Sequence, residues 1–137
     1  SKPRGPGPHP GARVEQLVVR DVRIGEGEEI RAGDTGVFDF IGTDYISGRS
    51  LDFSWHRRRP FETEVESTVV IGGWAQGIPG MRVGGRRQIL VPPALGFTDQ
   101  FSELQGATTY FDVVLLGVRP LRPPALAERT TEAPPAE

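Results

Sequence analysis

Three aspartates stand where a carboxylate could meet an apolar ligand: Phe38-Asp39-Phe40, Leu51-Asp52-Phe53 and Phe111-Asp112-Val113. Each could accept a hydrogen bond inside an apolar pocket, or simply be the outward member of an alternating strand. The three are well separated from one another in sequence and each is embedded among apolar residues, so no paired-carboxylate acid–base constellation is apparent. The two histidines, His9 and His56, lie in Pro-rich or polar surroundings, which argues against a zinc site or a Ser-His-Asp arrangement. Cysteine is absent, so disulfides, thiolate catalysis and Cys-ligated metals are excluded. No metal and no cofactor is expected. The most organised stretch is Val70-Ile71-Gly72-Gly73-Trp74-Ala75-Gln76-Gly77-Ile78-Pro79-Gly80-Met81. Trp74 is costly to leave in water; it is either core or the floor of an apolar pocket reached past Gly72 and Gly73.

The elements that must position these residues follow from pattern. Val14 to Ile24 is rich in β-branched residues and reads as a strand. Gly25-Glu26-Gly27-Glu28 is a turn; it lacks the third glycine and the following amphipathic helix of a dinucleotide loop. Thr35 to Thr43 predicts a strand with Val37, Asp39 and Ile41 on one face and Phe38 and Phe40 on the other. Ser50 to Trp55 is again extended, and Glu62 to Ser67 is polar. The Val70–Met81 stretch predicts a strand end, one or two helical turns and a stop at Pro79-Gly80. Arg86 to Val91 is a strand halted by Pro92-Pro93. Ala94 to Ala107 is a loop, and Thr108 to Leu116 is the last strand. The predicted fold is α+β: a twisted antiparallel sheet of four to six strands wrapped around one short α-helix.

The 137 residues suit one domain with tails. Residues 1–12 are rich in proline and glycine and predict a linker. The domain is expected over 13–120, and 121–137 is a Pro-rich tail, with Pro123, Pro124, Pro134 and Pro135. The net charge is -2, which gives no basic field for nucleic acid. The runs His56-Arg57-Arg58-Arg59 and Arg86-Arg87 are too isolated to change that reading. No apolar run is long enough for a membrane span. The chain is expected to be a monomer. The Pro-rich ends suggest a secreted or cell-envelope form with a removed signal rather than a cytoplasmic one.

An apolar pocket without nucleophile or general acid still suits one reaction, rotation about an X-Pro amide. Its barrier, about 18–20 kcal/mol, comes from resonance. A water-poor cavity that fits the twisted, less dipolar amide lowers it.

The segments Val70-Ile71-Gly72-Gly73-Trp74, Gly77, Gly80-Met81-Arg82-Val83-Gly84-Gly85-Arg86-Arg87 and Val91-Pro92-Pro93 closely resemble the core signature of the FKBP-type peptidyl-prolyl cis-trans isomerases. Val37 to Gly42, Leu51-Asp52, Pro60-Phe61 and Phe111-Asp112-Val113-Val114-Leu115-Leu116 extend the likeness, which covers about Val14 to Val118. The resemblance implies an isomerase that assists protein folding, with proline-containing polypeptides as substrates and the family's macrolide inhibitors as further ligands. It implies Trp74 as the floor under the substrate proline and Asp52 as the polar member. The backbone N–H of Ile71 would hold a substrate carbonyl. Phe61, Val70, Ile71 and Phe111 would be walls.

Departures are concentrated at the rim. Phe40 and Phe97 occupy positions where the family has tyrosine, and Leu51 stands where phenylalanine is usual. The loop Phe97 to Gly106 is shorter than the family's and reads Ser102-Glu103-Leu104-Gln105 in place of Ile-Pro-Pro, with Leu104 the apolar residue left to contact a ligand. Losing a neutral hydrogen bond costs about 0.5–1.5 kcal/mol, so reduced activity is expected at this rim. The alternative expectation is a catalytically weak or inactive peptide-binding or chaperone domain.

Overall fold

The computed structural model describes residues 5–51 and 59–121. Five strands form one antiparallel sheet: β1 (Val18–Arg23), β2 (Thr35–Asp44), β3 (Phe61–Glu64), β4 (Arg86–Val91) and β5 (Thr109–Arg119), in the spatial order β1-β4-β5-β2-β3. One short helix, α1 (Gly72–Gly77), packs against β4, and a 3-10 turn spans Pro93–Leu95. The α+β architecture predicted from the sequence is the one found.

β5 is the central strand because its alternate residues Phe111, Val113 and Leu115 are all buried on one side. β2 pairs with it along its whole length and adds Phe38 and Phe40 to the same side. Phe38 pairs with Leu115 and Val37 with Gly117, so Leu116 bulges out of register and lies exposed. The last strand runs to Arg119, past the expected end at Leu116, because the bulge lets pairing with β2 resume.

Two expectations about faces change. Ile41 is buried along with Phe38 and Phe40, although alternation puts it on the opposite side. That side is covered near the end of β2, where Gly5 packs directly on the buried Thr43. The backbone N–H of His9 donates to the Ile46 carbonyl at 3.0 Å, and its ring stacks on Tyr45 at 4.2 Å. β3 was not legible as a strand. It is an edge strand that pairs only with β2, with Phe61 and Thr63 half-buried and Glu62 and Glu64 in water. Such a strand carries little apolar signal. β1 begins at Val18 rather than Val14. It is the other edge, exposed at every residue and studded with Arg20, Asp21 and Arg23. The expected extended segment Ser50–Trp55 falls mostly on residues 52–58, outside the described residues; Ser50 itself bridges to Thr43.

The helix starts from Ile71, which is extended (φ -60°, ψ 154°) and carries no side-chain cap. It ends where Pro79 cannot continue it and Gly80 turns back at φ 100°. The Gly80 N–H then donates to Ile30 O at 2.9 Å and the Ile30 N–H to Met81 O at 2.9 Å, which stitches the helix exit to the 30s loop.

Candidate functional site

Trp74 projects from α1 toward the buried side of the sheet and is 3 % exposed. Four phenylalanines surround it edge to face: Phe38 and Phe40 with centroids at 5.2 Å, Phe111 at 5.7 Å and Phe61 at 5.8 Å. Interplanar angles of 75–87° make each contact T-shaped, the arrangement the aromatic quadrupole favours. Phe38 comes from below in the core. Phe40, Phe61 and Phe111 also contact one another or converge on the same space, with Phe40 5.4 Å from Phe61 and 6.2 Å from Phe111.

Above the indole lies an open cavity of about 210 Å³, lined by Phe40, Phe61, Val69, Val70, Ile71, Trp74, Phe97 and Phe111. It is smaller than the ~300–1,000 Å³ of sites for drug-sized molecules and suits one ring or side chain. Every lining side chain is apolar. The polar handle comes from the backbone: the Ile71 carbonyl accepts from the N–H groups of Trp74 and Ala75 at 3.0 Å, while the Ile71 N–H has no acceptor among the described residues. Glu66 shapes the approach to this wall. Its backbone carbonyl accepts from the N–H groups of Val69 and Val70, and its carboxylate binds the Thr68 hydroxyl and N–H, which hold its pKa below the usual value.

The sequence-predicted residues therefore divide. Trp74, Ile71, Phe111, Phe40, Phe61, Val70 and Phe97 meet around one cavity. Leu51 and Leu104 do not line it. Leu51 continues from the sheet, its N–H donating to Gly42 O at 2.8 Å. Leu104 is half-buried in a loop closed on itself by Gly106 N–H to Phe97 O and Ala107 N–H to Leu104 O, at 3.1 and 3.0 Å. Asp52 lies outside the described residues. Val69 is a lining residue the sequence reading omitted; it is half exposed, and its position one residue before Val70 was the only signal for it.

The other two aspartates of the opening pattern are not at the cavity. Asp112 faces away from the core, as alternation predicts, but it is buried beneath Arg86. The guanidinium holds it bidentately at 2.8 and 2.7 Å, and Gln88 Nε2 adds a bond at 3.3 Å. The bond to Asp112 raises the Arg86 pKa against a smaller desolvation effect. This pair ties β4 to β5. Asp39 is half-buried on the same outward side of β2. Among the described residues no group of three or more His, Asp or Glu could hold a metal ion, and no helix is long and apolar enough to cross a membrane.

An apolar cavity floored by a tryptophan on a short helix and walled by a twisted antiparallel sheet defines a binder of small apolar rings or turns. Residues 26–116 match the family model described as FKBP-type peptidyl-prolyl cis-trans isomerase. The chain is 37 % identical over 116 residues to a probable FK506-binding protein of Corynebacterium glutamicum, covering 83 % of this chain and 92 % of that one. It is 36 % identical over 95 residues to an FK506-binding protein of Streptomyces anulatus, covering 69 % and 74 %. The crystal structure of FkpA from Escherichia coli superposes with a TM-score of 0.65 at 32 % identity, covering 76 % of this chain and 48 % of that one. The crystal structure of AtFKBP13 gives a TM-score of 0.65 at 27 % identity, covering 75 % and 93 %. The chain belongs to the FKBP-type peptidyl-prolyl cis-trans isomerase family.

Proposed function

We propose that the Trp74 cavity isomerises X-Pro bonds in polypeptides by desolvation and by fitting the twisted amide. The observation that carries this reading is the all-apolar cavity of about 210 Å³ floored by Trp74 and lined by Phe40, Phe61, Ile71 and Phe111. The proline ring lies over the indole, between Phe40, Phe61 and Phe111. The Ile71 N–H donates to a substrate carbonyl and fixes the peptide while the imide rotates. No proton moves and no covalent bond forms. In the planar ground state the imide carries the large resonance dipole; in the twisted state the dipole is smaller, so a medium without water penalises the ground state more. The family resemblance assigns Asp52 as the polar member of the site. Phe97 forms the outer wall without a hydroxyl, so ligands lose one rim hydrogen bond, on the order of tenfold in affinity at most.

The test is refolding of a protein whose slow phase is proline isomerisation, with micromolar amounts of this domain. Acceleration of that phase is expected, and an unchanged rate would remove the enzymatic reading. Trp74→Ala is expected to abolish both acceleration and binding of a proline peptide. It also costs about 3–5 kcal/mol of stability, so binding is measured at a temperature where the variant is folded by circular dichroism. Unaltered peptide binding by folded Trp74→Ala would show that the cavity is not the site.

A further inference from the structure

Helix α1 is a poor helix in isolation. Three of its six residues are glycine, no side chain caps its start, and neither an acidic first turn nor a basic last turn complements its dipole. A helix this short does not hold itself in water. It nevertheless carries Trp74, whose position defines the cavity floor. The helix start is fixed by packing, since Gly73 lies against Val91 and Gly72 against Leu95.

The carbonyl end is held differently. Arg87, on β4, sends Nη1 to within 2.8 Å of Gly77 O and 3.3 Å of Pro79 O. The other edge of the same guanidinium meets Asp21 on β1, with Nε 2.7 Å from Oδ1 and Nη2 3.2 Å from Oδ2. The Arg87 side chain is only 12 % exposed. A planar fork fixed at both edges sets a distance, which a lysine ammonium on a flexible stem cannot do. The site's lining residues do not include Arg87, so its effect on the site is indirect.

We propose that Arg87, oriented by Asp21, is a positioning residue that sets the height and tilt of Trp74 beneath the substrate; this rests on the isomerase reading of the cavity. Arg87 stabilises the last carbonyls of α1 and braces them on the β1–β4 edge. The floor is therefore held from a strand edge on the far side of the helix from the bound peptide.

The experiment uses the full chain with Trp55→Phe, which leaves Trp74 as the sole tryptophan of the two. In this background Arg87→Met, Arg87→Lys and Asp21→Asn are compared with Asp34→Asn. Asp34 binds the N–H groups of Arg31 and Leu121, and Asp34→Asn serves as a destabilising control outside the Arg87–Asp21 pair. Three quantities are read: kcat/KM on a chromogenic Xaa-Pro tetrapeptide, the near-UV circular dichroism of Trp74, and the urea midpoint from far-UV circular dichroism. Arg87→Met is expected to lower kcat/KM on the order of tenfold and change the Trp74 signal in the folded state, as small displacements of a positioning element do. Arg87→Lys is expected to fall short of rescue, and Asp21→Asn to lie between parent and Arg87→Met. Asp34→Asn should stay within about twofold of the parent in kcat/KM despite its lower midpoint. Parent-like kcat/KM and Trp74 signal in Arg87→Met overturn the proposal, as does an equal loss in Asp34→Asn. If Arg87→Met does not fold, an unchanged Trp74 signal in both Arg87→Lys and Asp21→Asn overturns it. If the unmodified chain itself has no isomerase activity, the isomerase reading falls, and the Trp74 signal alone decides the brace.

Discussion

At the residue scale, Trp74 is both core and site. Its underside and edges are satisfied by Phe38, Phe40, Phe61 and Phe111, so its place is held by the same rings that wall the cavity. Residues that stabilise the fold and residues that shape the site are here largely the same residues. The opposite side of the sheet offers a titration that reports on packing. Tyr110 is partly buried, and desolvation, followed by the charge of Asp112, raises its pKa above the ordinary 10.0. The folded protein thus keeps the phenol proton more tightly than the unfolded chain. Its contribution to stability is whole below about pH 10 and is lost as the pH climbs through the raised value. Urea midpoints of the parent and Tyr110→Phe, measured from pH 8 upward, are expected to diverge from about pH 9.5, with the parent losing stability faster. Parallel curves would show that Tyr110 is as solvated in the folded state as in the unfolded one.

At the element scale, α1 shows close approach overriding helix propensity. Alanine is a better helix former than glycine by about 1 kcal/mol. At Gly73, however, a Cβ would stand 2.5 and 2.6 Å from the two γ-carbons of Val91. Overpacking of that kind costs about 1–3 kcal/mol, so Gly73→Ala is expected to destabilise on balance. Adding Val91→Ala should recover part of the loss, and the non-additivity in a urea-based double-mutant cycle measures it. A stabilised Gly73→Ala would mean that the helix sits farther from β4 than described. The Arg86–Asp112 pair follows the same principle at the sheet: a buried carboxylate is tolerated because one guanidinium and one amide satisfy it.

At the scale of the whole molecule, the Pro/Gly-rich start of the chain touches the folded part at Gly5 and His9. The Gly5–Thr43 contact, the His9–Tyr45 stack and the His9 N–H bond to Ile46 all fall on or beside the turn that leads out of β2. That turn precedes Leu51, the last described residue before 59. An aromatic pair and a hydrogen bond contribute about 0.5–1.5 kcal/mol each. Deleting residues 1–12 is therefore expected to lower stability by about 1–2 kcal/mol, and His9→Ala to account for roughly half. Thermal unfolding checks both; an unchanged midpoint on deletion would show that these contacts carry no weight.

Much of this molecule was legible in the sequence. Period-two alternation with β-branched and aromatic residues gave away β2, β4 and β5, because those strands bury one face. The Gly-Gly-Trp stretch ending in Pro-Gly marked α1, since each residue there answers a local backbone or packing demand. The family's motifs then gathered Phe40, Phe61, Ile71, Trp74 and Phe111 as one candidate site. Other features depend on distant partners and left no local trace. β3 is an edge strand whose side chains half face water. Ile41 is buried on the side of β2 where Gly5, more than thirty residues away in sequence, packs on Thr43. Leu51 and Leu104 are apolar and near the rim in sequence, yet neither is among the residues that line the cavity. Composition and spacing determined which residues could make an apolar pocket. Only tertiary packing decided which of them share it, because a cavity is set by which elements approach one another and how closely.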